Sequence, residues 1–359
     1  MRKLSNLSLA YEMERFADEE ANLILVSKRV KKLFGSKMER AFGVNKYGLI
    51  DFDTKKVILP LEYDNQITFS EGLALAEKKG FLGKKLGFVD RAGKVVIPLK
   101  FDWAGSFSEE LAVVNKKGKF GFIDKTGKIV IPLKFDYALG FIGGLAAVKQ
   151  GDKWGFIDKN GEIIIPLKFD SASFFSEGLA AVKQGEKWGF IDKNAELVIP
   201  CKFDSAYFFS EGLAAVAQND KNGFKIGFVD KTGEIVIPFK FIHTSIPLCD
   251  LPFLPHFNEG LAKVQHDEKW GFIDKKGEIV IPLNFIQVSD FNEGVAIFNF
   301  SGAIDKKGNE IFSEDYLVVS FFEKGMLKVM KKVKVNNKWI DRWSLFDIKT
   351  GKVIDLYDK

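Results

Sequence analysis

Histidine and cysteine are scarce in this sequence: 359 residues hold three histidines, His243, His256 and His266, and two cysteines, Cys201 and Cys249. Two cysteines build no disulfide framework, and they fit a reducing compartment or ordinary use as small apolar residues. All three histidines lie in or just after one stretch, residues 243–257, with Cys249 and Asp250 between the first two. Imidazole and thiolate are zinc ligands, yet separations of six, seven and ten residues along His243, Cys249, His256 and His266 match none of the short paired spacings that make zinc motifs specific. No metal and no cofactor are therefore expected.

Long apolar runs are also missing. The longest uncharged stretch, Tyr137 to Val148, is shorter than the 18–20 apolar residues a bilayer span needs. The opening "MRKLSNLSLAYEMERFADEE" has basic residues but no apolar core and no small-residue cleavage site, so no signal peptide is read and a cytoplasmic location is expected. The net charge of +5 is thinly spread, because most lysines stand near an acid in the same turn. Without a basic block, nucleic acid is not the expected partner. No Gly-rich phosphate loop precedes a helix, and no Ser-His-Asp framework is discernible.

What the chain does hold is apolar material, 46% of residues with 36 phenylalanines, and it is distributed periodically. The proline that follows each aliphatic run recurs at Pro60, Pro98, Pro132, Pro166, Pro200, Pro238 and Pro282, on a base period of 34 residues. The glycine before Phe-(Ile/Val)-Asp recurs at Gly48, Gly87, Gly121, Gly155, Gly189, Gly227, Gly271 and, more weakly, Gly302. Such a period means an array in which each unit buries its faces against its neighbours. Helical repeats share this period, but "GLAAVKQ", "KWGFID" and "EIIIP" are short, rich in branched and aromatic residues, and bounded by turn signals, so they read as strands.

Turn chemistry joins them. In Asp158-Lys159-Asn160-Gly161 the aspartate accepts hydrogen bonds from the turn's own amides and the glycine takes the left-handed conformation. In one copy Asn194-Ala195 replaces Asn-Gly, and Asn is the residue best suited to stand in for glycine there. A tighter turn at Gln150-Gly151-Asp152 closes the preceding hairpin. Three strands thus form an antiparallel meander. The glycine after the tryptophan leaves room for a close neighbour, and the proline, which has no amide to donate, is expected to end the third strand. The connector 167–178 then carries Phe169 and Phe175, expected to pack between successive sheets.

The words "KWGFIDKNGE", "IVIPLKFD" and "FSEGLAAV" resemble the WG-repeat family of bacterial proteins from about Tyr47 to Gly308. The strict Trp-Gly pair stands only at Trp154, Trp188 and Trp270; Tyr47, Leu86, Phe120 and Ile226 occupy the tryptophan place elsewhere, as a packing role would allow. The resemblance implies a β-rich repeat and supplies no reaction. The expected fold is an all-β array of three-stranded meanders in an open twisted arrangement, with a closed β-propeller-like ring as the alternative.

Residues 8–34 read as a single helix capping the array, with Ser8 as cap and Leu9, Met13, Phe16, Leu23, Val30 and Leu33 as its apolar stripe. The organisation is then an N-terminal helical cap over 1–40, the repeat array over 41–310, and a degenerate C-terminal β repeat over 311–359. Two insertions, 78–87 and 218–227, lengthen hairpins; the third, "HTSIPLCDLPFLPHF", concentrates prolines with apolar residues. Insertions in arrays map to loops, often on the binding face. His243, Pro247, Leu248, Leu251, Phe253, Leu254 and His256 are therefore the candidate partner-contact residues.

The repeated Asp-x-Asn-Gly-Glu word is a hairpin turn and not a calcium loop, since calcium needs six to eight oxygens. Catalysis needs one asymmetric constellation, whereas these carboxylates recur in every unit. The expectation is a non-enzymatic scaffold that binds another protein. Carbohydrate or cell-envelope binding through exposed indole faces is the alternative, and an enzyme with an insertion-built pocket the third reading.

Overall fold

The computed structural model describes residues 12–18, 23–30, 44–51, 54, 56–80, 83–220, 223–242, 255–299, 302–311, 317–323, 325–335 and 338–355. These form nine antiparallel sheets, eight of four strands and one of two. The fifth sheet represents them: Ser171–Ser176, Leu179–Gln184, Lys187–Ile191 and Leu197–Phe203, hydrogen-bonded in that order. The fourth strand expected to be absent is supplied by the connector, whose residues 171–176 become the first strand of the next sheet. Four strands per unit remove the ground for an open three-stranded array and favour the propeller alternative, whose blade is a four-stranded sheet.

The N-terminal helix is also corrected. Residues Glu12–Asp18 and Leu23–Val30 are two strands that pair with each other and, through Leu23–Val30, with Val44–Asp51. Leu23 and Leu25 are buried in this sheet. Leu23, counted in the helical stripe, also alternates with Leu25, which that stripe left out, and sheet pairing decides between the two periods.

Glycine and proline act together on the outer strand. Trp188 pairs with Phe203 and Phe190 with Ile199, so Gly189 alone faces the three residues 200–202. The outer strand bulges across this glycine: a Cβ there would lie 2.4 Å from the Ile199 carbonyl oxygen and 2.8 Å from the Pro200 carbonyl carbon. The same crowding, 2.4–2.7 Å from the corresponding Leu or Ile carbonyl oxygen, surrounds Gly48, Gly87, Gly121, Gly155, Gly227 and Gly271. Proline does not end the strand, which continues to Phe203. It occupies the bulge, where no ladder bond asks for its missing amide.

A second bulge follows from Phe190 facing Ile199 while Ile191 faces Leu197, which leaves Val198 without a partner. Two residues then oppose one, and Leu197 and Val198 both stay exposed, at 45% and 39%.

Successive sheets are held by apolar and polar contacts that repeat. Phe156 meets Phe175 with ring centroids 4.9 Å apart, Phe190 meets Phe209 at 4.9 Å, and Phe88 meets Phe107 at 4.8 Å. Phe88, Phe156 and Phe190 are fully buried, each contributing about 1.5–3 kcal/mol. Phe169 and Phe175 are buried as expected. The Phe-Ser-Glu-Gly word supplies the polar part. The Ser176 and Ser210 hydroxyls donate to the Phe209 and Phe257 carbonyls, both at 2.6 Å. Glu177 accepts from the Gly212 amide at 3.1 Å and pairs with Lys231 at 3.1 Å; Glu211 does the same with Gly260 and Lys275. Where the word becomes Phe141-Ile142-Gly143-Gly144, the Lys193 ammonium bonds the Gly143 carbonyl.

A third device ties an outer strand that ends in Phe-Asp to its own sheet and the next. Asp170 pairs with Lys153 at 2.5 Å and accepts from the Gly185 amide at 2.7 Å; Asp204 likewise binds Lys187 at 2.5 Å and the Asn219 amide at 2.8 Å.

Cα packing divides the chain into two compact units, Met1–Gly140 with Ser320–Lys359, and Phe141–Val319. The first holds the sheet Leu317–Glu323, Met326–Val335, Lys338–Asp347 and Val353–Asp355 almost entirely, together with the sheets of the N-terminal half.

The hairpin turns follow their expected chemistry with one change. Asp158 accepts from the Asn160 and Glu162 amides, and Gly161 has φ of 84°. In the exceptional copy it is Ala195, with φ of 66°, that takes the left-handed conformation, and not Asn194. Ala195→Gly should therefore stabilise the protein by about 1 kcal/mol, and Gly189→Ala should destabilise it by about 1–3 kcal/mol. Urea unfolding of the two variants beside the wild type checks both signs.

These contacts also set a pH dependence. The Thr126 hydroxyl bonded to Asp124, and Lys153 bonded to Asp170, hold those carboxyls below the usual range. At Glu259 partial burial pushes the other way, and the bonds from Lys306 and the Gly294 and Glu293 amides override it. Groups with depressed values give stability that is complete above the unfolded range near about 4 and is lost as pH falls toward the folded values. Denaturant titrations should show little loss from these groups between about pH 7 and 5, and a steady decline below about pH 4.

Candidate functional site

Of the residues expected to form the contact loop, His243, Pro247, Leu248, Leu251, Phe253 and Leu254 lie outside the described residues. His256 is half-buried, its ring centroid 5.6 Å from Phe208 and 6.1 Å from Tyr207, so it packs between aromatic neighbours. His266 stands exposed on a hairpin 3.6 Å from the Asp267 carboxylate. Cys249 lies outside the described residues; Cys201 is half-buried, and burial pushes its thiol up. Among the described residues no cluster of three His, Cys, Asp or Glu side chains has the geometry of a metal site.

A shallow cleft of about 300 Å³ opens beside that hairpin, lined by Lys240, Phe241, His266, Asp267, Lys269, Ile279 and Leu283. Its Lys269 departs from the repeat: Lys85, Lys119, Lys153 and Lys187 each pair with the aspartate after the next Lys-Phe, whereas Ile286 fills that place here and is 69% exposed.

Trp188 and Trp270 do not offer flat bare faces. Trp188 is 8% exposed, and the Lys263 ammonium sits 5.4 Å over the ring of Trp270. The more open rings, Trp103 at 39% and Tyr137 at 43%, flank Phe120 at tilts of 53° and 43° and share no plane.

Among the described residues, most exposed large apolar side chains lie on the outer strands. The second bulge presents an aliphatic pair in one sheet after another: Ile129 and Val130, Ile163 and Ile164, Leu197 and Val198, Ile235 and Val236, Ile279 and Val280, each 39–55% exposed. Val57 and Val95 continue the series at 46% and 43%. Each is preceded by an exposed charge: Lys56, Lys94 and Lys128, then Glu162, Glu196, Glu234 and Glu278. The words "KIVIP" and "EIVIP" were legible as strands, but the bulge that turns two neighbours outward was not.

A family model described as WG containing repeat matches residues 47–80, 87–120, 120–154, 154–188, 188–221, 226–241, 253–270 and 270–300, more than half of the chain. The chain belongs to the WG-containing repeat family. The Trp-Gly pair that names it is the Trp188-Gly189 site of the outer-strand bulge, in which glycine is the sterically fixed member. No curated protein matches this WG-repeat chain. Among solved structures, one titled "Crystal structure of the eukaryotic initiation factor" is 12% identical, with a TM-score of 0.55, over 86% of this chain and 92% of that one. The β-propeller domain of the Trilobed protease from Pyrococcus furiosus is 8% identical, with a TM-score of 0.42, over 97% and 98%. At 12% identity the first likeness concerns the fold alone.

The differing burial of the indoles gives a direct check. A variant keeping Trp103 alone, the other tryptophans changed to phenylalanine, should be quenched by acrylamide several-fold more than one keeping Trp188 alone; equal quenching would place Trp188 at the surface.

Proposed function

We propose that this WG-repeat protein is a non-enzymatic scaffold of propeller type that binds protein through the exposed aliphatic pairs of its outer strands. The observation that carries this reading is the recurrence of those pairs, at 39–55% exposure, in one sheet after another. Isolated exposed apolar residues are ordinary on any surface, whereas a series repeated in register is the mark of an interaction surface. The propeller reading is supported by four strands per sheet and by the grouping of Ser320–Lys359 with Met1–Gly140 in one unit.

Affinity purification from the native host tests the proposal, comparing the wild type with a variant carrying I163T, I164T, L197T and V198T. These positions are exposed and strand-compatible with threonine, so the melting temperature should change little. A protein retained by the wild type and lost by the variant is the expected outcome; identical retained proteins would remove the outer strands from the binding surface.

A further inference from the structure

The aspartate clamp that follows an outer strand is interrupted at two successive places. Asp64, Asp102, Asp170 and Asp204 each pair with a lysine of their own sheet and accept from a backbone amide of the next hairpin, that of Lys79, Lys117, Gly185 and Asn219 in turn. After Phe241 and Phe285 the aspartate's place holds Ile242 and Ile286.

Both losses fall on one hairpin, His266-Asp267-Glu268-Lys269. The amide that a carboxylate at position 242 would engage is that of Asp267, which holds the place of Gly185, and it donates to no acceptor among the described residues. The ammonium that a carboxylate at position 286 would neutralise is that of Lys269, which forms no ion pair or hydrogen bond among the described residues. Asp267 and Lys269 line the cleft of about 300 Å³ together with Phe241, Ile279 and Leu283. Lys240 lines it too, and its ammonium, which has three hydrogens to donate, gives one bond to the Gly277 carbonyl at 2.9 Å. All of these residues belong to the second unit.

The acids around the cleft do not bar an anion. Glu268 stands before its lysine as Asp152 and Glu186 do, and Glu278 stands ahead of its outer strand as Glu162 and Glu196 do. Beside those acids Lys153 and Lys187 each hold a carboxylate at 2.5 Å. The hairpin adds Asp267, whose own carboxylate is exposed and lies 3.6 Å from the His266 ring. Selection therefore rests on two open donors and not on net charge.

We propose that this cleft binds a small monocarboxylate with an apolar body. Its carboxylate takes the part that the clamp aspartates play in earlier sheets, on the Lys269 ammonium and the Asp267 amide, while its hydrocarbon lies against Phe241, Ile279 and Leu283. A cavity of this size is at the low end of ligand sites and suits a molecule of about ten non-hydrogen atoms. The amide bond to a charged acceptor fixes the carboxylate, and the exposed ammonium adds little alone. The inference goes beyond the scaffold reading, and the four threonine substitutions that test that reading lie outside this cleft.

Saturation-transfer NMR on the full chain tests the site with 3-phenylpropionate and, as its uncharged counterpart, 3-phenylpropionamide. The wild type should bind the acid with a dissociation constant of about 0.1–5 mM, and the amide at least about tenfold more weakly. Ile286→Asp restores a carboxylate seventeen residues after Lys269, the separation found in the Lys153 and Lys187 pairs, at an exposed position where the fold tolerates it. That variant should keep the wild-type melting temperature and bind the acid at least about tenfold more weakly, because Lys269 then has its partner within the chain. Lys269→Gln should lose the acid to the same extent. Equal binding of acid and amide, undiminished binding of the acid by either variant, or no saturable binding by the wild type up to about 20 mM overturns the proposal.

Discussion

The structure depends on one steric requirement, that a strand passes over a residue with no side chain. At each Trp-Gly position the outer strand bulges so closely that a Cβ would collide with a backbone carbonyl at 2.4–2.7 Å. Glycine ordinarily weakens a strand interior by giving up packing and adding chain entropy. Here it permits proline to sit where the ladder is already broken, and Phe203 to return to register opposite Trp188. The aspartate after that phenylalanine then reaches both its own sheet and the next hairpin. The aspartate clamp between sheets therefore traces back to one missing methyl group per repeat.

The bulge also explains why the tryptophan varies and the glycine does not. Tyr47, Leu86, Phe120 and Ile226 fill the tryptophan place, and the sheet around each is built in the same way, because any large apolar side chain pairs with the aromatic residue of the outer strand, Tyr63 opposite Tyr47 and phenylalanine opposite the others. Burial is tolerant of shape within a volume, while a backbone-to-backbone contact admits no substitute. Chemistry-bearing words such as "KWGFIDKNGE" are thus framework: Asp158 ties the turn, Gly155 accepts the bulge, and Lys153 is neutralised by Asp170.

Much of this was legible in the sequence. The period, the strands, the turn aspartates and the inter-sheet role of Phe175 follow from local residue types. Three features were not legible, and each involves a pairing that local propensity does not encode. Residues 8–34 carry enough helical spacing to read as a helix, yet Leu23–Val30 pairs with Val44–Asp51 and Glu12–Asp18 with Leu23–Val30, and hydrogen bonds to a neighbouring strand outweigh a weak local preference. Proline looked like a strand terminator because the compensating glycine lies on another strand. The short first strands, such as Trp103–Ala104, are two residues long and have no pattern to detect. The candidate surface was missed for the same reason as the proline: two consecutive aliphatic residues read as core until the bulge turns both outward.

That geometry limits what a repeat of this kind can offer. Positions facing other sheets are committed to phenylalanine, alanine and branched residues, and the turn and linker acids to the clamps. Freedom remains at the side chain of the residue after the turn glycine, which borders the bulge while its backbone amide is held by the turn aspartate. Its side chain can change sign without altering the fold, as Lys128 and Glu162 show by standing at the same place in adjacent repeats. A repeat whose framework is fixed by backbone contact can therefore vary its surface charge at that position, with the neighbouring aliphatic pair turned outward by the bulge.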